Sequence, residues 1–203
     1  FPYQAEWLKR CSYPMFAVAC LIFLYAQLLQ FVHMYVYVYS KKRSYKEYFN
    51  DYFRNLTRNV FWGTYPMGFA TIINYIASLA TYQVRDPAVA RRLMRLTYIF
   101  WWYDVLISLI CAWGISFLIW QKHYYPDSND SRISLNEKMA RENLGTTLLL
   151  LVIPLVVAAS SSSIFTMTEL FSTTFNRNIQ LMTMVVTSLM WLHAIIFVFI
   201  LIF

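Results

Sequence analysis

Apolar residues gather into five long runs, and polar stretches between them carry most of the charge. The runs cover roughly residues 13–39, 60–80, 97–120, 146–165 and 179–203. Each is near or above the ~20 residues that a helix needs to cross a hydrocarbon core of ~30 Å. A spanning segment must satisfy its own backbone groups in lipid, so continuous runs of this length predict helices. The expected fold class is an all-α polytopic membrane protein. Among the polar stretches, residues 40–59 carry Lys41, Lys42, Arg43, Lys46, Arg54 and Arg58 against Glu47 and Asp51. Tyr45, Tyr48, Phe49, Tyr52, Phe53 and Leu56 recur there on a helical period. That predicts an amphipathic helix, lying either in the membrane interface or on the protein's own loops. Asp86-Pro87 predicts an N-cap with proline at the first helical position. Ser134 and Glu137 have the spacing of a capping box. Pro14 is expected in the first turn of the first span, where proline is tolerated.

The second and fourth runs differ from the others. The second holds Gly63, Gly68 and Pro66. Pro66 cannot donate to the carbonyl of Trp62, which predicts a kink. Thr64, Gly68, Thr71, Tyr75 and Ser78 are spaced to share one helical face. The fourth run is interrupted at Pro154 and continues through Ala158, Ala159 and the serines from Ser160 to Ser163. Interrupted segments at corresponding positions point to a transport path. Spans two and four are therefore expected inside. Spans one, three and five, bulky and apolar almost all round, are expected outside. The candidate path residues are Thr64, Pro66, Gly68, Phe69, Thr71, Asn74, Ser78, Pro154, Ser160 and Ser161, with Phe69 as a constriction. Hydroxyl and amide donors and the positive ends of broken helices suit a permeating anion better than fixed cations, which would trap it. The alternative for each hydroxyl is a bond to its own helix, or close helix packing.

Composition narrows the class further. Charged residues make up 13% of the chain and hydrophobic ones 59%, against about 25% charged in soluble domains. The first run is too long and too late for a signal peptide. The net charge of +7 has no soluble basic module to carry it, so nucleic-acid binding is not expected. Cys11, Cys20 and Cys111 lack metal-ligand spacing, and no nucleophile–base pair or phosphate-binding loop is present. No catalytic residue, metal or cofactor is expected. Asp104 is the one carboxylate well inside an apolar run. It is expected near a span's end, in a structural pair or at the interface, with proton coupling as the alternative. His33 and His193 are expected in structural roles. Loops 40–59 and 121–145 hold ten Lys and Arg, against seven on the other loops, which places the first set in the cytoplasm. The chain lacks an initiator Met and stops within an apolar run, as expected of a fragment.

Several stretches carry a resemblance. Trp62-Gly63-Thr64-Tyr65-Pro66-Met67-Gly68-Phe69-Ala70-Thr71-Ile72-Ile73-Asn74 resembles the third transmembrane helix of fungal sulfite efflux pumps. Further matches are Phe1-Pro2-Tyr3, the stretch from Tyr48 to Asn55, Trp101-Trp102-Tyr103-Asp104, the stretch from Ile153 to Ser161, and Phe175-Asn176-Arg177-Asn178-Ile179-Gln180-Leu181. Those pumps belong to the tellurite-resistance and dicarboxylate transporter family, with plant slow anion channels and fungal malate permeases. The resemblance implies ten helices arranged as five hairpins around a central pore, the odd helices lining it. The five spans here would be helices two to six. It also implies sulfite export across the plasma membrane by a multi-pass protein in the lipid bilayer, and a homotrimer. The residues leave two other readings open. A malate or C4-dicarboxylate transporter would favour paired Arg or Lys on inner helices, and spans two and four carry none. A membrane-embedded enzyme would need paired acids or histidines on facing helices.

Overall fold

The computed structural model describes residues 6–41, 44–48, 61–118 and 147–202. The regular elements among them are helical. They are α1 (Glu6–Lys41), α2 (Thr64–Tyr82), α3 (Pro87–Leu109), α4 (Ile153–Thr166), α5 (Glu169–Thr174) and α6 (Arg177–Ile202). A 3-10 turn, Phe61–Gly63, leads into α2, and another, Thr147–Leu151, precedes α4. A π-helical segment, Ile110–Ile115, continues α3. The interfacial helix expected over 40–59 is described only at 44–48. The capping box at Ser134 and Glu137 lies outside the described residues.

The chain forms two units, divided after Tyr52. In the first, α1 is apolar on every side, with Met15, Val18, Leu21, Ile22, Leu24, Tyr25 and Leu28 all exposed. A helix greasy all round belongs in lipid. Pro14 lies inside it rather than in its first turn. The helix starts earlier than expected because residues 6–12 include good helix formers such as Glu6, Leu8, Lys9 and Arg10. Near its other end, His33 Nδ1 lies 3.4 Å from the hydroxyl of Tyr48, whose ring meets Tyr37 edge-on at 5.0 Å. Tyr48 is buried by these contacts.

The second unit is a helical hairpin, α2 and α3, packed on α4, which in turn packs on α6. The hairpin turn follows the expected chemistry. Asp86 caps α3 by accepting from the backbone N–H of Ala88 at 2.8 Å, and Pro87 takes the first turn. The core holds Ile73 and Ala77 of α2, Met94, Trp101 and Val105 of α3, Leu155, Ala158, Ala159 and Phe165 of α4, and Met190 and Ala194 of α6. Small residues let these backbones approach closely, as membrane helices require. The Trp101 indole is fully buried, so its N–H needs an acceptor. It donates to the carbonyl of Ala158 at 2.8 Å. Tyr98, Trp101, Phe165, Phe171 and Phe175 form an aromatic cluster that anchors the short α5. Two hydroxyl contacts reach α6. Ser162 meets Thr187 at 2.6 Å, and Thr183 donates to Tyr98 at 3.2 Å.

Four helical stretches among the described residues are long and apolar enough to cross a membrane: Arg10–Ser40, Pro87–Leu118, Leu149–Thr166 and Arg177–Phe199. The third expected span is thus a longer helix than 97–120, beginning at Pro87. The α2 helix has 19 residues and stands apart from those four, diluted by Thr64, Thr71, Asn74 and Ser78.

Candidate functional site

The two prolines that mark the second and fourth runs lie at helix starts. Pro66 is in the first turn of α2, and Pro154 is in the first turn of α4. The backbone therefore passes from 3-10 to α geometry beside each proline, in place of a bend in mid-helix. The carbonyl that Pro66 cannot serve, that of Trp62, accepts from the Cys111 thiol at 3.7 Å. The two starts also touch. A Cβ on Gly63 would overlap the carbonyl of Leu150 and come within 3.2 Å of Pro154 Cγ. Glycine is required there by close backbone approach. Neither N-cap residue, Gly63 or Val152, makes a side-chain cap. Two helix starts, each led into by a 3-10 turn and each carrying partial positive charge, thus meet at one junction.

From that junction a polar stripe runs along α2. Thr64 and Thr71 are exposed, and Gly68, Phe69, Asn74 and Ser78 are half-buried. The opposite face, Pro66, Ala70, Ile73, Ala77 and Ala80, is buried. The candidate residues therefore divide. Thr64, Gly68, Thr71 and Ser78 lie away from the core, whereas Pro66, Pro154 and Ser161 are inside it. Phe69 turns toward α3, with its ring 5.6 Å from Phe100 and 5.4 Å from Tyr103. The hydroxyls bond their own helices: Thr71 to Met67 O at 3.2 Å, Ser160 to Val156 O at 2.8 Å, and Ser161 to Val157 O at 2.9 Å. Such back-bonding satisfies the proton of each hydroxyl and leaves its oxygen able to accept. The amide oxygen of Asn74 is buried without a hydrogen-bond partner.

The sequence reading singled out Asp104 but missed the polar row it belongs to, on α3. Thr97, Asp104 and Ser108 are fully buried. Asp104, expected at a span's end in an ion pair or at the interface, sits within the Pro87–Leu118 stretch, and neither of its carboxylate oxygens has a hydrogen-bond partner. The Ser108 hydroxyl also lacks one. A signal was available, because Asp104, Ser108 and Cys111 follow the i, i+4, i+7 spacing of one helical face. Arg91, Arg92 and Arg95 of the same helix are exposed. His193 of α6 packs against Trp113 at 6.0 Å and lies 2.8 Å from the Leu189 carbonyl.

The sequence matches the SLAC1 family, described as a voltage-dependent anion channel, over residues 1–203. It is 56% identical over 203 residues to the sulfite efflux pump of Saccharomyces cerevisiae, covering 100% of this chain and 44% of that protein. Sulfite efflux pumps of Trichophyton rubrum and Arthroderma benhamiae are each 34% identical over 61 residues, covering 30% of this chain and 15% of theirs. The chain thus spans less than half the length of the curated relatives it matches. No solved structure matches it. The chain belongs to the SLAC1 anion channel family.

Proposed function

We propose that this member of the SLAC1 family forms part of a plasma-membrane transporter that exports sulfite, a small anion, and performs no covalent chemistry. The observation that carries the substrate is the 56% identity to a sulfite efflux pump along the whole of this chain. The geometry supports an anion path. Two helix starts without side-chain caps come together where Gly63 meets Leu150, and a row of small and hydroxylated residues leads from them along α2. Partial positive charge at the helix starts and the side-chain NH2 of Asn74 attract an anion without holding it. Thr64, Gly68, Thr71 and Ser78 line the path in this reading. Pro66 and Pro154 shape it by setting where each α-helix begins, and Phe69 closes the α3 side. Asn74 supplies a donor, and Ser160 and Ser161 hold α4 close behind. The protein works in a lipid bilayer, as a homotrimer by family resemblance.

The test is transport by the full-length protein in sealed vesicles. Labelled sulfite should move faster than labelled malate. Equal or faster malate movement would assign the path to dicarboxylates instead.

A further inference from the structure

Asp104 and Ser108 lie one helical turn apart on α3, and both are fully buried. The two Asp104 oxygens and the Ser108 hydroxyl have no hydrogen-bond partner. Arg95, exposed on the same helix, suits the headgroup level, where a long cationic side chain reaches water. At ~1.5 Å rise per residue, Asp104 lies about 13 Å deeper along the helix axis. That is close to the middle of a ~30 Å hydrocarbon core. An intramembrane carboxylate without a partner is the costliest group in the unit. Among the described residues the surroundings offer no compensating charge. Among the described residues, the groups that can ionise around it are Tyr65 of α2, with Tyr103 and Cys111 of its own helix. Tyr65 and Tyr103 are themselves joined, hydroxyl to hydroxyl, at 3.3 Å. Neither α2 nor α4 carries an acid, a histidine or a cation. The α5 helix packs on α3 and carries Glu169, which is exposed and belongs to the aromatic end around Tyr98. His193 of α6 is bound at Trp113.

A side chain from outside cannot reach oxygens that are already sealed. A metal ion would need several oxygen ligands, and this row offers two residues. The ligand that fits oxygens buried from water is a proton. The second observation is the π segment Ile110–Ile115, which begins just after Ser108. π-bulges often mark functional positions in helices. Here the segment places Cys111 against the Trp62 carbonyl, at the start of the polar stripe on α2.

We propose that Asp104 is a proton-binding site coupled to the passage of the anion. The carboxylate takes one proton from water to become a carboxyl, and returns it when the anion has left. The coupling is electrostatic. An anion on α2 beside an ionised Asp104 meets like charge in a medium of low dielectric, and binding the proton removes that repulsion. Anion and proton therefore favour each other's binding, reciprocally. Ser108 positions the carboxyl by accepting a hydrogen bond from its O–H once the two side chains turn toward each other. This rests on the reading of the chain as part of an anion exporter.

Infrared difference spectroscopy of the full-length protein in vesicles tests it, with pH steps taken with and without sulfite. The expected result is a carboxyl C=O band that is missing in Asp104→Asn, fades as pH rises, and persists to higher pH when sulfite is present. A band unchanged from acid to alkaline pH shows a permanently neutral structural acid and overturns the proposal. The second arm is the ratio of sulfite flux in Asp104→Asn to that of the wild type, which cancels the ionisation of sulfite itself. It should lie near one in acid and rise several-fold as pH rises. A flat ratio overturns the proposal. Should Asp104→Asn fail to reach the membrane, Asp104→Glu carries the infrared arm. It should keep a titrating band at a displaced frequency, and an undisplaced band removes the assignment. Sulfite export with a band that titrates but ignores sulfite defeats the coupling alone. If the wild type moves no sulfite and the band ignores it, the exporter reading falls as well.

Discussion

The α2 and α3 helices form one hairpin, yet they distribute polar residues in opposite ways. The α2 helix buries Pro66, Ala70, Ile73, Ala77 and Ala80 and leaves Thr64 and Thr71 exposed. The α3 helix buries Thr97, Asp104 and Ser108 and exposes Leu96, Ile99, Leu106 and Leu109. In water the exposed apolar face and the enclosed carboxylate of the second helix would both be costly. In lipid the apolar exposure follows from the solvent, because large apolar side chains cost nothing on the outside and small ones gain close packing within. The contrast also separates two uses of polarity. On α2 the Thr71 hydroxyl satisfies its proton locally and still faces an open side. The polar groups of Asp104 and Ser108 are enclosed without partners, a cost that a protein retains at functional positions.

Bulk tests the two faces of α2 most severely. In the full-length protein, Gly68→Leu and Thr71→Phe should abolish sulfite flux at normal membrane abundance, because they narrow the path. Ala77→Phe, on the buried face, should instead lower the amount of folded protein. Normal flux in Thr71→Phe at equal abundance would remove α2 from the path. The next effect is at the junction where α2 begins. Gly63→Ala drives a methyl group into the Leu150 carbonyl, and overpacking of this kind costs about 1–3 kcal/mol. Thermal denaturation in detergent should show the loss. Gly114→Ala makes only an ordinary contact, with Ile110 Cγ2 at 3.7 Å, and should melt close to the wild type. Equal melting of the two variants would contradict the close approach at Gly63. The smallest effect has the opposite sign. Ser108→Ala removes a buried hydroxyl without a partner, so stability should stay level or rise by up to about 1 kcal/mol. A loss larger than that would reveal a hydrogen bond at Ser108 in the working protein. The same variant should alter the pH dependence of sulfite flux if Ser108 positions the Asp104 carboxyl.

Much of the architecture was legible in the chain. Apolar runs over 97–120, 146–165 and 179–203 declare themselves as helices, because lipid leaves a single chain segment few other ways to satisfy its backbone. The cap at Asp86-Pro87 is equally local, since it depends on one side chain and the two residues beyond it. The polar face of α2 also followed from spacing alone. What spacing left undecided is which neighbour each face meets. The freed carbonyl of Trp62 was foreseeable, but its partner, Cys111, is 49 positions away. Gly63 reads as helix-breaking, and only the approach of Leu150 shows why nothing larger fits. Asp104 and its neighbours resembled the end of a span as long as the helix was taken to begin near Thr97. The helix starts at Pro87, and packing against α2 and α4 encloses the carboxyl. Local preferences set where helices form and which faces are polar. Burial and hydrogen-bond satisfaction belong to pairs of residues distant in sequence, so only the tertiary structure could decide them.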